Sequence, residues 1–183
     1  MGRSNVGKSS LINALVRRRL ARTSAAPGKT RLANIYRVAR EGGAPLYLVD
    51  LPGYGYARGG KDSARAFDEL TRAFFARDSA CGLLLVDARH PGLDSDRAAW
   101  QWLHASVGHL AIVATKIDKL ARGERIRAMR ELESVFEHSV LPVSAVTGEG
   151  LEQLWTLIER LNSNNPPRKA RRLQTRAPSP RRK

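Results

Sequence analysis

Apolar runs alternate with stretches of helical patterning along this chain. Gly82-Leu83-Leu84-Leu85-Val86-Asp87 and Leu110-Ala111-Ile112-Val113-Ala114-Thr115 are continuously apolar and short. Such runs are expected of strands covered on both faces. Ser139–Val143 reads as a third, shorter strand. Asn34–Arg40 and Leu46–Asp50 read as two strands joined by a hairpin-like turn at Glu41-Gly42-Gly43-Ala44. Helical patterns fill the intervals. One starts at Leu11 and runs to about Arg17–Arg19; the others cover Ser63–Arg77, Asp94–Ser106 with Asp94 as N-cap, Ala121–Glu137 and Gly150–Leu161. The pattern predicts an α/β fold with a mostly parallel sheet. From Ser163 onward Asn, Pro and Arg dominate and no apolar period survives, so a disordered tail is expected over 163–183.

The first helix is preceded by Gly2-Arg3-Ser4-Asn5-Val6-Gly7-Lys8-Ser9, which fits the phosphate-loop pattern G-x-x-x-x-G-K-[ST]. Its glycines let backbone N–H groups curl toward a polyphosphate, and the helix N-terminus adds partial positive charge. Lys8 can reach the β- and γ-phosphates, and the Ser9 hydroxyl can ligate Mg²⁺. The fold expected is therefore a P-loop NTPase three-layer sandwich. A phosphate loop normally follows a strand. Only Met1 precedes Gly2, so the sheet is expected to lack its first central strand, and the natural start is expected further upstream.

Length, charge and cysteine content narrow the setting. The 183 residues suit one domain, and no apolar run approaches the roughly 20 residues of a membrane span. No signal peptide is visible, and Cys81 is the sole cysteine, expected as a buried inert thiol; a cytoplasmic protein is expected. The formal net charge is +15, and eight of the positive residues, Arg168 to Lys183, lie in a tail without an acidic side chain. The remainder is still basic, which favours a polyanionic partner. A solvated tail without a specific partner stays open as the alternative.

Two further motifs follow strands. Asp50-Leu51-Pro52-Gly53 stands where open α/β sheets bind ligands; its carboxylate can hold a Mg²⁺-bound water and the Gly53 N–H can meet a γ-phosphate. Thr115-Lys116-Ile117-Asp118 follows the strand Leu110–Ala114. Asp118 can accept from the N1–H and exocyclic amine of guanine, a donor pair adenine lacks. Lys116 would lie along the base and brace the phosphate loop. Val143-Ser144-Ala145 closes a third strand, with the Ala145 N–H placed for guanine O6.

In this order the segments resemble the G1 to G5 boxes of TRAFAC-class GTPases, with a Ras-like G domain over 1–162. Gly28-Lys29-Thr30 then corresponds to switch I, and the resemblance implies that Thr30 ligates Mg²⁺ with Ser9, Asp50 acting through water. Gly2 through Ser10 and Leu11-Ile12-Asn13, Pro27-Gly28-Lys29-Thr30, Asp50-Leu51-Pro52-Gly53-Tyr54-Gly55-Tyr56-Ala57 and Asp87-Ala88-Arg89-His90-Pro91 are similar to the EngB (YihA/YsxC) family. So are Thr115 through Leu120 and Ser144 through Gly150. The resemblance implies a GTP-hydrolysing switch in assembly of the large ribosomal subunit, with a role in cell division and septation, acting as a monomer on rRNA or the subunit itself.

Tyr54 stands where Ras-like GTPases carry a water-orienting glutamine, and a phenol cannot reproduce the amide's donor–acceptor pair. Slow intrinsic hydrolysis is expected, with acceleration by a partner or ion. Asn5 resembles the asparagine of potassium-activated GTPases, making K⁺ a candidate cofactor and Asn5 and Thr30 the candidate catalytic residues. Tyr54 and Tyr56 as packing residues stay open. His90, His104, His109 and His138 are expected on the surface or in packing, and Trp100, Trp102 and Trp155 in the core. Competing functions are a nucleotide kinase, and a GTPase domain of a tRNA-modifying or other RNA-associated relative.

Overall fold

The computed structural model describes residues 1–21, 33–39, 45–54, 69, 71–75 and 80–164. Its elements are α1 (Lys8–Val16), β1 (Asn34–Val38), β2 (Leu46–Asp50), β3 (Gly82–Asp87), α2 (Asp94–Ser106), β4 (Leu110–Thr115), α3 (Arg122–Phe136), β5 (Val140–Pro142) and α4 (Leu151–Asn164). A helical stretch at 71–75 lies within the helix expected over Ser63–Arg77. The turn at 41–44, Tyr56 and the tail beyond Asn164 lie outside the described residues.

β3, β4 and β5 form a parallel sheet in the order β3-β4-β5, with Gly82 opposite Leu110 and Asp87 opposite Thr115. β1 and β2 form a separate antiparallel pair, Asn34 opposite Asp50 and Val38 opposite Leu46. Residues 1–3 lie between the two sheets. The Met1 ammonium donates to Leu83 O at 2.7 Å, and Leu85 N donates to Met1 O at 2.8 Å. Gly2 bridges Leu85 and Arg3 bridges Tyr54, both parallel. The slot expected for a first strand thus holds three residues, which tie the two halves together. A Cβ at Gly2 would stand 2.7 Å from Leu85 O, so the approach requires glycine.

Two cores flank the sheet, as the continuous apolar strands require. Leu84, Val86, Ile112 and Ala114 pack with Trp100, Leu103, Leu132 and Phe136 of α2 and α3. Leu85 and Val113 point the other way, to Leu11 and Leu15 of α1 and Leu154, Trp155 and Ile158 of α4. Trp155 Nε1 also donates to Leu15 O at 3.1 Å, satisfying its one polar atom inside the core. These are the three layers expected.

Several boundaries differ from the sequence pattern. α1 stops at Val16, just short of the expected end at about Arg17–Arg19, because Arg17 turns left-handed (φ 51°) and its N–H bonds back to Ala14 O at 3.3 Å. Leu93, not Asp94, is the N-cap of α2; Asp94 lies inside the first turn, where acidic charge still complements the helix dipole. β1 ends at Val38, β5 spans Val140–Pro142, and α4 continues to Asn164, two residues beyond the expected domain edge. Cys81 is half-buried rather than enclosed, its thiol 3.4 Å from Leu161 O.

Candidate nucleotide site

The phosphate loop curls through two left-handed positions, Asn5 (φ 62°) and Gly7 (φ 105°). Gly7 is the N-cap of α1 and carries no side-chain cap, so the helix begins with uncapped N–H groups. That is an arrangement suited to an anion. Val6 points inward and is 2% exposed, anchoring the loop to the core. Lys8 Nζ reaches back to Gly2 O (3.0 Å) and Arg3 O (2.9 Å), holding its own loop closed. Burial lowers the pKa of this ammonium, opposed by the nearby Asp50 carboxylate. Ser10 stands exposed on the first turn of α1.

Asp50, at the C-terminal end of β2, is 4% exposed and accepts from Ser9 Oγ at 3.3 Å. Its other oxygen, Oδ1, is buried without a hydrogen-bond partner. Burial raises its pKa, and Lys8, the Met1 ammonium and Ser9 oppose that shift. A hydroxyl and a half-satisfied carboxylate side by side are the donor set a hydrated Mg²⁺ takes. Leu51 is core, 2% exposed, which sets the following Pro52-Gly53 against the loop. A Cβ on Gly53 would lie 2.7 Å from Ser4 N and 3.0 Å from Lys8 Nζ.

The other half of the site descends from β3, β4 and β5. The Thr115 hydroxyl lies 2.7 Å from Val6 O and 3.0 Å from Val86 O, supporting the phosphate loop from below. Lys116 takes a left-handed φ of 61° and donates to Asn5 O (2.5 Å) and to Asp87 Oδ2 (2.9 Å). Its expected bracing role is realised. Asp87 also accepts Arg89 Nε at 2.9 Å and an Arg89 terminal nitrogen at 2.7 Å, a two-point fork. Burial pushes the Asp87 pKa up, but the Arg89 and Lys116 hydrogen bonds outweigh it and hold the carboxyl well below its ordinary range.

Asp118 Oδ1 accepts from Ser144 Oγ at 2.7 Å, and Lys119 Nζ lies 3.5 Å from Oδ2. The Ser144 bond is the largest influence lowering the Asp118 pKa, so the group is a carboxylate at neutral pH. Ser144 is fully buried, and its oxygen in turn accepts from Val146 N (3.2 Å) and Thr147 N (3.1 Å). Val143, also fully buried, fixes the strand end below it. The Ala145 N–H has no acceptor among the described residues. The site therefore presents a fixed acceptor at Asp118 and an open donor at Ala145.

Gly28, Lys29 and Thr30 lie outside the described residues. The Tyr54 hydroxyl donates to Asp96 Oδ1 at 2.8 Å, and Arg3 Nε of the phosphate loop lies 3.2 Å from the same oxygen. Burial first, then the adjacent Asp96, raises the Tyr54 pKa, so the phenol stays protonated. The packing alternative for Tyr54 is the one observed. His104 and His138 pack their rings on Trp100, as expected of packing histidines.

Asp87 and Arg89 stand in the Asp87-Ala88-Arg89-His90-Pro91 segment noted in the sequence, but no role is read for them there. Asp96 was not singled out and carries no local signal; its role exists only through pairing in space with Tyr54 and Arg3.

The chain matches a family described as "50S ribosome-binding GTPase" over residues 1–116. It is 42% identical over 171 residues to a probable GTP-binding protein EngB of Thermotoga maritima, covering 90% of this chain and 86% of that protein. It is 42% identical over 167 residues to the Chlorobaculum parvum protein of the same description, covering 88% and 83%. A crystal structure of a probable GTP-binding protein engB superposes with a TM-score of 0.67 at 24% identity, covering 89% of this chain and 96% of that one. Era in complex with MgGDPNP and nucleotides 1506-1542 of 16S ribosomal RNA superposes at 0.76 with 22% identity, covering 87% and 54%. The structural likenesses establish the P-loop GTPase fold.

Proposed function

The chain belongs to the EngB family of GTP-binding proteins, and from that premise we propose that it is a GTP-driven switch in assembly of the large ribosomal subunit. As a GTPase it converts GTP to GDP and phosphate. The observation that carries the nucleotide assignment is the continuous tie from Ser144 to Asp118 beside Lys116, and from Lys116 to Asn5 of the phosphate loop. It sets base recognition and phosphate cradling on one rigid frame.

In this reading Gly2 through Ser10 enclose the phosphates, and Lys8 leaves its loop carbonyls for the β- and γ-oxygens. Asp118 selects guanine; Ala145 donates to O6. Ser9, Thr30 and, through water, Asp50 would hold Mg²⁺, which when bound would supply positive charge beside the phosphates. The orphaned Asp50 Oδ1 is what supports this placement. Gly53 meets the γ-phosphate through its N–H and senses its loss.

Slow hydrolysis is supported by the Tyr54 hydroxyl being engaged by Asp96, at the position where Ras-like GTPases carry a water-orienting glutamine. In this reading Asn5 would help hold a K⁺ ion, which when bound would supply further positive charge beside the phosphates. Turnover in KCl should exceed turnover in NaCl at equal ionic strength; identical rates contradict the K⁺ role.

The ribosomal role is supported by the family's description as 50S ribosome-binding and by the net charge of +15. The nucleotide-binding domain over 1–162 works as a cytoplasmic monomer, the basic segment 163–183 adds attraction to the particle, and loss of the activity impairs division and septation. Co-sedimentation with purified large subunits tests the reading. Retention should differ between a GTP analogue and GDP; no retention, or equal retention in both states, contradicts it.

A further inference from the structure

α1 is followed by three consecutive arginines, Arg17, Arg18 and Arg19, all exposed. Consecutive like charges at a chain reversal repel one another, and a pliant turn would let them spread. This turn is held. Asn13 Oδ1 accepts Leu20 N (2.9 Å) and Ala21 N (2.7 Å), while Asn13 Nδ2 donates to Ala21 O at 2.8 Å. Arg18 N bonds to Asn13 O at 3.2 Å, and Ala21 is sealed at 1% exposure. One carboxamide thus fixes the backbone on which the three side chains stand.

The acids nearby do not balance them. Glu152 lies 3.7 Å from Arg17, and both are largely exposed, a pair of little strength. Arg18 and Arg19 have no carboxylate partner among the described residues. The helix C-terminus contributes roughly half a negative charge. The patch keeps an excess of positive charge, with the apolar Leu20, 47% exposed, beside it. Nine residues of α1 place it about 13 Å along the axis from the phosphate loop. It is not part of the nucleotide site.

We propose that Arg17, Arg18 and Arg19, on the turn clamped by Asn13, form a second anionic docking surface that grips the phosphate backbone of RNA. Guanidinium forks match phosphate oxygens two at a time, and a backbone fixed in advance lowers the ordering cost of each contact. The proposal rests on the reading that the partner is a ribosomal particle, and it assigns part of that contact to the folded domain rather than to the basic tail.

The test uses the full chain, deproteinised large-subunit rRNA and intact large subunits. The probes are wild type, the double variant Arg18→Gln/Arg19→Gln, and the charge-keeping Arg18→Lys/Arg19→Lys. Arg18→Gln/Arg19→Gln should keep the melting temperature and GDP affinity. It should lose about tenfold or more in rRNA affinity near 0.1 M salt, with the log–log salt slope reduced by roughly 1.5 to 2. The lysine variant should retain most of the salt slope. Unchanged rRNA and subunit binding by the glutamine variant overturns the proposal while leaving the ribosomal reading intact. Loss on intact subunits alone assigns the patch to a protein surface and overturns the RNA assignment. Wild type binding neither probe overturns both.

Discussion

Lys116 Nζ lies 2.9 Å from the Asp87 carboxylate, an ion pair that bridges two strand ends across the sheet. It explains how a side chain at the end of β4 is held rigid enough to support a loop that begins the chain. Asp87 is 3% exposed, so its charge is tolerable only with both cations in place. Asp87→Ala leaves two partly exposed cations that water can solvate, so it should cost only about 1–2 kcal/mol in unfolding free energy. GDP affinity should fall by at least the roughly tenfold worth of one charged hydrogen bond. Urea unfolding and calorimetry read the two effects separately. An affinity unchanged beside a lost stability would show that the pair is structural and does not position Lys116.

The Ser144–Asp118 contact makes a different prediction. Ser144→Ala removes a donor at 2.7 Å and with it the largest influence holding the Asp118 pKa down. Guanine affinity should fall by about 1 kcal/mol, and the acid edge of nucleotide binding should move to higher pH. Asp118→Asn should weaken GTP and favour xanthosine triphosphate, because the carboxamide supplies a donor where xanthine offers an oxygen. Retained guanine preference in Asp118→Asn contradicts the base assignment.

Gly53 leaves no space for a side chain, with backbone atoms of Ser4 and Arg3 at 2.7 and 3.0 Å from its Cβ position. Gly53→Ala must displace the Pro52-Gly53 segment from the phosphate loop. GTP affinity should fall while GDP affinity is kept. Equal affinities for GTP in both proteins would remove Gly53 from γ-phosphate contact.

With Met1 as the first residue, its ammonium is buried against Leu83 O, and burial, then Lys8, lowers its pKa from 8.0 to about 5. Between those values the unfolded chain holds the proton and the folded chain does not, so stability should rise with pH through that window. The gain is at most about 4 kcal/mol. Residues added ahead of Met1 replace the amine with an amide and should abolish this slope. Urea unfolding at several pH values compares the two forms.

The sequence carried β3, β4 and α2 to their observed ends because burial on both faces makes β3 and β4 uninterrupted apolar runs, and α2 is bounded by polar turns. The phosphate loop was legible from its own glycine-and-lysine spacing, and Asp50, Lys116, Asp118 and Ser144 because each lies at or just after the end of a strand. What local pattern cannot carry is pairing through space. Arg17–Arg19 suit a helix, and it is Asn13 reaching over the turn that fixes its end. Asp94 fits an N-cap, yet Leu93 takes the position while Asp96, two residues on, turns to Tyr54 and Arg3. Tyr54 and Asp96 are 42 positions apart, and nothing near either residue announces the other.

Calorimetric titration of the folded chain with GTP, GDP and ATP in Mg²⁺ tests the central claim most directly. Binding of GTP and GDP with ATP weaker by at least a hundredfold is the expected result, since the Asp118 carboxylate would face adenine without its donor pair. Equal affinity for ATP would contradict it.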